Sequence, residues 1–265
     1  MEKIISVTKN KGAGYQIQLA SGEAIEVSED VLVRHRLLKG QEVSSDFLRQ
    51  IKKDSQQDLG YQLSLNYLSY QLRTEKEVKD YLITKKIAIE DIPDIIQRLK
   101  TLKLVDDLVY GESYVRTQIR LSDKGPGVLQ QQLFKKGLRQ ETVEKALRLY
   151  TPELQLELAV KAAKKSAKKH RQKTFQIQRQ KVQQTLMTKG FSAEIIKEAM
   201  ALLALEKDEA KESDLVMIDG EKIWQKNKRF DFSQRKQKTI QGLIRKGFDY
   251  DLIQEFLSGK ESDDE

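Results

Sequence analysis

A chain of 265 residues with a formal net charge of +8 and no cysteine excludes disulfides, thiolate nucleophiles and cysteine-held metals. With 38% apolar and 33% charged residues, it suits small helical bundles better than one large core; 14 glycines and only 3 prolines leave long helices few breakers. The start "MEKIISVTKN" has no apolar run of signal-peptide length and no stretch approaches a membrane span, so a soluble cytoplasmic protein is expected.

Taken in chain order, residues 1–50 open with "KIISVTKN", "YQIQLA" and "EAIEV", which alternate apolar and polar residues between turns at "NKGAG" and "SGE". This predicts a small β-hairpin or three-stranded segment, packed on the helix "EDVLVRHRLL" because so few short strands are marginal alone. "GAG" at 12–14 reads as a hairpin turn and lacks the third glycine of a dinucleotide fingerprint.

From there one phrase recurs. Residues 133–147 read "LFKKGLRQETVEKAL", 186–200 "LMTKGFSAEIIKEAM" and 243–257 "LIRKGFDYDLIQEFL", with a weaker copy from Leu82, "LITKKIAIEDIPDII". Gly137, Gly190 and Gly247 fit the left-handed residue that closes a helix, and the preceding lysine suits the negative end of the helix dipole. Leu138 should pack back on Leu133, Phe191 on Leu186 and Phe248 on Leu243. The next helix is apolar at Val143, Ala146 and Leu147, then Ile196, Ala199 and Met200, then Ile253, Phe256 and Leu257, with Ser192 and Asp249 as N-caps. In the weak copy Lys86 replaces glycine, so that turn must be strained or differently closed.

The copies start about 51 to 57 residues apart, which leaves room for a further helix upstream in each unit. Thr74 and Glu77 have capping-box spacing, Asp106 or Asp107 can cap "LVYGESYVRTQIRL", and Thr151 with Pro152 opens the third unit. The expectation is a mainly α protein of tandem three-helix units at 55–105, 106–150, 151–205 and 206–260 in an elongated array. "EKDEAKESD" at 206–214 reads as a linker or exposed helix, and 261–265 as an acidic, disordered tail.

No catalytic centre is legible. His35 and His170 lie far apart in helix-like contexts and read as surface residues. The single Gly-Lys, at 259–260, is followed by Glu261 and does not end a phosphate loop. Helix capping explains Asp106 and Asp107 more simply than a metal, so neither metal nor cofactor is expected. The strongest signal is "LAVKAAKKSAKKHRQK": Lys161, Lys164, Lys165, Lys168 and Lys169 share one helical face, with Arg171 just beyond, and no acidic residue lies between Glu157 and Glu194. Such a stripe is either a solvated face or a surface for the phosphates of single- or double-stranded DNA, and the second reading is favoured here. Tyr67, Tyr70, Tyr81, Tyr110 and Tyr114 can stack on bases, though at helical spacing core or rim positions are commoner.

The order "RTEKEVKDYL", "VDDLVYGESYVR", "KGPGVLQQQLFKKGL" resembles the RecX regulatory proteins through Arg73, Thr74 and Glu77; Asp106, Asp107, Tyr110 and Arg116; and Gly125, Leu133, Lys136 and Gly137. The likeness covers roughly residues 60–150, with 151–260 continuing the pattern more loosely. It implies tandem three-helix units in a non-enzymatic, monomeric modulator of RecA recombinase in DNA repair, recombination and the SOS response. Such a protein binds the RecA nucleoprotein filament and inhibits its ATPase, strand-exchange and coprotease activities, and some members bind DNA. Two rivals stand beside it: a DNA-reading transcription regulator, disfavoured by the two glutamates of "ETVEKAL", and a pure protein scaffold, disfavoured by the lysine stripe.

Overall fold

The computed structural model describes residues 1–10 and 14–262. The chain divides into two compact units, one of Met1–Tyr114 with Gln132–Ala146, the other of Val115–Gln131 with Leu147–Glu265. Residues 11–13 of the expected hairpin turn lie outside the described residues, as do the last three of the acidic tail.

The first unit opens with an antiparallel sheet of β1 (Glu2–Lys9), β2 (Gly14–Leu19), β3 (Ala24–Ser28) and β4 (Glu42–Val43), in the order β3-β2-β1-β4. The fourth strand corrects the expected two or three: two residues are too few to show an alternation. Alternate residues Ile17 and Leu19, and Ile25 and Val27, join Ile4, Val31, Leu37 and Val43 in one apolar core. Helix α1 (Glu29–Arg34) is capped by Ser28, whose hydroxyl accepts from Val31 N–H at 3.2 Å. It is shorter than the sequence suggests, because Arg36 turns to φ +49° and ends it.

Helix α2 (Ser45–Leu68) carries both ends of this unit's interior. Its 24 residues span about 36 Å. Leu48 and Ile51 pack into the sheet core, while Tyr61 joins a second cluster with Val78, Leu82, Ile92, Ile95, Ile96 and Leu99. The boundary expected between residues 50 and 55 therefore falls inside a continuous helix. The second cluster is built with α3 (Glu75–Thr84) and α4 (Ile92–Thr101). The turn between them closes at Lys86 with φ +62°, so a non-glycine residue does take the strained left-handed conformation.

The chain continues through α5 (Asp107–Leu121), α6 (Pro126–Lys135) and α7 (Gln140–Leu147). The second unit then holds α8 (Pro152–Lys169), α9 (Phe175–Thr188) and α10 (Ala193–Leu203), followed by α11 (Glu209–Lys226), α12 (Phe232–Arg245) and α13 (Tyr250–Ser262). The helix α13 includes residues 261 and 262 of the expected tail.

The repeated phrase folds as the same turn three times. Gly137, Gly190 and Gly247 sit at φ +91°, +83° and +76°. In each, the glycine N–H donates three residues back, to Phe134, Met187 and Ile244. The next N–H donates five back, from Leu138 to Leu133, Phe191 to Leu186 and Phe248 to Leu243. All six clasp residues are buried, which gives the carbonyls of a helix end their partners and covers them with apolar side chains.

Candidate functional site

The lysine stripe lies on α8. Thr151 caps that helix by accepting from Leu154 N–H at 3.5 Å, and Pro152 occupies its first turn. One face, Leu158, Ala159, Ala162, Ala163, Ser166 and Ala167, is buried; small residues let α9 approach, and the Ser166 and Thr185 hydroxyls meet at 2.9 Å. Lys161, Lys164, Lys165, Lys168 and Lys169 are left exposed, with Arg171 exposed just past the helix end. One carboxylate reaches the stripe from outside its own stretch of chain. Asp123 pairs with Lys189, and the Lys189 ammonium holds its carboxyl below the usual aspartate range against burial, with Lys165 contributing in the same direction.

The residues shared with the RecX pattern fall at a different place, where one three-helix module meets the next. Thr74 and Glu77 form a reciprocal capping box at the start of α3. The Thr74 hydroxyl also donates to the Lys136 carbonyl at 2.9 Å, and Asp107 accepts from the Glu75 N–H at 2.8 Å. Lys136 Nζ reaches Glu77 at 2.5 Å. Burial pushes the Glu77 carboxyl up, but hydrogen bonds from Lys136 and the Thr74 N–H overcome this and hold it below the usual range. Glu77, and then Tyr110, raise the Lys136 ammonium against desolvation. Asp106 is the true cap of α5, accepting from Leu108 and Val109 N–H at 2.8 and 3.1 Å. Arg73 lies over the Tyr67 ring at 4.2 Å, and Tyr67 stacks on Tyr81 at 4.1 Å. Tyr110 and Tyr114 stack at 6.3 Å, and Tyr70 stands exposed. Arg116, further along α5, is exposed.

The second unit repeats this junction twice. The Thr174 hydroxyl donates to the Lys246 carbonyl at 2.7 Å, and Glu212 accepts from the Phe175 N–H at 2.7 Å. Glu212, expected in a linker or an exposed helix, does lie in a helix but is buried near its start, with Asp208 as the cap of α11. At the other junction Gly125 N–H donates to the Lys189 carbonyl at 2.7 Å and Gly127 N–H to the Gly190 carbonyl at 3.0 Å. A side chain on Gly125 would meet the Gly190 backbone at 2.6 Å. Helix-start N–H groups, left without partners inside their own helix, are thus satisfied by the turn that ends another helix. In the sequence Gly125 stands out only as part of the RecX-like pattern; the closeness of "KGPG" to Gly190 has no local signal.

Both histidines are partly covered where surface residues are expected. His35 Nε2 lies 2.6 Å from Asp54, both side chains being only 14% exposed, and His170 is half-buried at the end of α8. Among the described residues no cluster of three or more His, Asp or Glu side chains offers a metal a ligand set, and no helix is long and apolar enough to cross a membrane.

Three-helix modules joined through helix starts and turn carbonyls, with a row of exposed ammonium groups on one helix, define a tandem helical-repeat protein. Its helices match the RecX family: residues 61–99 fit its first three-helix domain, 106–147 its second, and both 153–200 and 214–257 its third. The chain belongs to that family. It is 50% identical over 261 residues to "Regulatory protein RecX" of Enterococcus faecalis, with 98% of each chain covered, and 40% identical over 259 residues to that of Levilactobacillus brevis, with 97% of each covered. A solved structure of regulatory protein RecX is 38% identical with a TM-score of 0.67, covering 74% of this chain and 98% of its own. RecX from Lactobacillus salivarius is 44% identical with a TM-score of 0.55, covering 57% and 98%.

Proposed function

We propose that this chain is a non-enzymatic regulator of RecA: it binds the RecA nucleoprotein filament and restrains ATP hydrolysis, strand exchange and coprotease activity. The observation that carries the reading is family membership over nearly the whole chain, in company with relatives named regulatory proteins. A RecA filament presents a recombinase surface and a phosphate backbone together. The exposed ammonium groups on α8 suit the second, and the helical modules supply surface for the first. Modules joined in one chain act at high effective concentration, so weak contacts multiply where the geometry permits simultaneous engagement. The protein works as a monomer in the cytoplasm, where the filament forms.

The test is RecA ATPase and light scattering, measured together on single-stranded DNA with and without the full-length protein. Lower turnover with scattering intact means that hydrolysis is blocked on standing filaments; parallel loss of both means disassembly. Equal affinity for filaments and bare DNA, with neither signal changed, rejects the reading and favours a DNA-binding regulator.

A further inference from the structure

We propose that the second unit holds a phosphate-backbone groove distinct from the α8 stripe, at the junction of α9 with α11 and α12. The groove has a volume of about 920 Å³. Arg171 and Lys173 enter it from the turn after α8, Lys181 from α9, Lys211 and Lys222 from α11, and Arg245 and Lys246 from the end of α12. The single carboxylate among its lining residues is Asp219, which pairs with Lys246 at 2.8 Å. The other six cations face no carboxylate within the lining. Among the described residues, Lys181 reaches only the Gln184 amide, at 3.1 Å, and Lys211 only the Lys173 carbonyl, at 3.4 Å.

The fold does not need this charge. The first unit has a groove at the equivalent junction, where Thr74 stands for Thr174 and Lys136 for Lys246. There Lys76, Lys135 and Lys136 are met by Glu77 and Asp80, and Tyr114 takes the place that Asp219 holds in the second. The same architecture therefore closes with near-balanced charge. In the second unit, cations gathered around one groove repel one another, and a concave wall concentrates their field. A polyanion relieves that repulsion and releases its counterions on binding.

A nucleic-acid backbone fits better than an acidic peptide. It offers a charge at every nucleotide, enough to meet six uncompensated cations in one groove. The groove also begins where the lysine stripe ends, with Arg171 only two residues past Lys169, so a linear chain of phosphates can follow from one to the other. No aromatic ring lines it to stack a base, which makes the contact one of backbone and not of sequence.

The experiment uses the full-length protein and DNA alone, so that RecA takes no part and the filament reading can fail or hold separately. Anisotropy of short labelled oligonucleotides of two unrelated sequences is measured over a KCl series. Arg171, Lys173 and Lys222 make no ion pair among the described residues and are exposed, so R171Q/K173Q/K222Q should keep the wild-type melting curve. Expected is a loss of roughly tenfold or more in affinity on both sequences, with the log–log salt slope on duplex falling by about 0.9 for every phosphate no longer neutralised. Lys222→Glu alone, mid-helix and exposed, should act in the same direction and serves if the triple variant is destabilised. Unchanged affinity and slope in a folded variant overturn the proposal. So does a variant that loses poly-glutamate while keeping DNA, which assigns the groove to an acidic protein.

Discussion

The Thr74 hydroxyl donates to the backbone carbonyl of Lys136, 62 residues away, at 2.9 Å, while accepting from the N–H of Glu77 at 3.1 Å. One oxygen thus starts a helix with its lone pair and fastens the next module with its proton. Thr174 does the same with Ile177 and Lys246.

This double role separates residues that ordinary capping treats alike. Thr74→Ser should be close to wild type. Thr74→Asp keeps a cap but cannot donate, and Thr74→Val loses both bonds. We expect the valine variant to lose about 1–2 kcal/mol, the usual cost of a missing cap, with the carbonyl of Lys136 adding to it. Urea midpoints should fall in the order Ser, Asp, Val; a well-capped aspartate variant as stable as the serine one removes the carbonyl bond from the account.

Gly190 meets two demands at once: its φ of +83°, and a would-be Cβ only 2.5 Å from the Val128 backbone nitrogen. Gly190→Val should therefore exceed a cap defect alone, whose left-handed cost is about 1–2 kcal/mol. Gly125→Ala, with no positive φ to sustain, should still cost about 1–3 kcal/mol because backbone lies in its way. Thermal melts of the two variants test this, and an unshifted Gly125→Ala midpoint counts against the close approach.

The Glu77 carboxyl is depressed on folding, so its contribution is present above the ordinary glutamate range and is lost as pH falls through the lower folded value. Asp107 has the opposite sign: burial raises it despite the Glu75 N–H, so its contribution is full in acid and is lost as pH rises through the folded value. Glu77→Gln should accordingly be less stable than wild type near neutrality, with the gap closing in acid. Asp107→Asn should gain on wild type as pH rises. Urea denaturation across the carboxylate range reads both trends.

Replacing Lys161, Lys164, Lys165 and Lys168 with Gln should weaken DNA binding and flatten its dependence on log salt, without changing the melting temperature by more than about a degree or two, since all four are exposed. An unaltered affinity and slope would make the stripe an ordinary solvated face.

The sequence by itself determined the local devices. A cap, a Lys-Gly turn and a clasp involve residues at most five apart, so three near-identical phrases declare three identical turns, and the Lys161–Lys169 face follows from helical spacing alone. The RecX likeness was readable from Thr74, Glu77, Asp106, Asp107 and Gly137, but not what those residues touch. Asp106 and Asp107 look equivalent in the chain; packing makes one the cap of α5 and sends the other to the Glu75 N–H. Glu212 reads as part of an acidic linker or exposed helix until the start of α9 supplies an unpaired N–H for it. The basic groove was decided by tertiary structure in the same way. Its cations come from stretches as far apart as Arg171 and Lys246, and of these only the lysine-rich run that ends at Lys173 stands out by charge in the chain. Hydrogen-bond partners and summed electric fields depend on distance in space, and only the meeting of the start of α9 with α11 and with the turn after α12 brings those stretches to one groove.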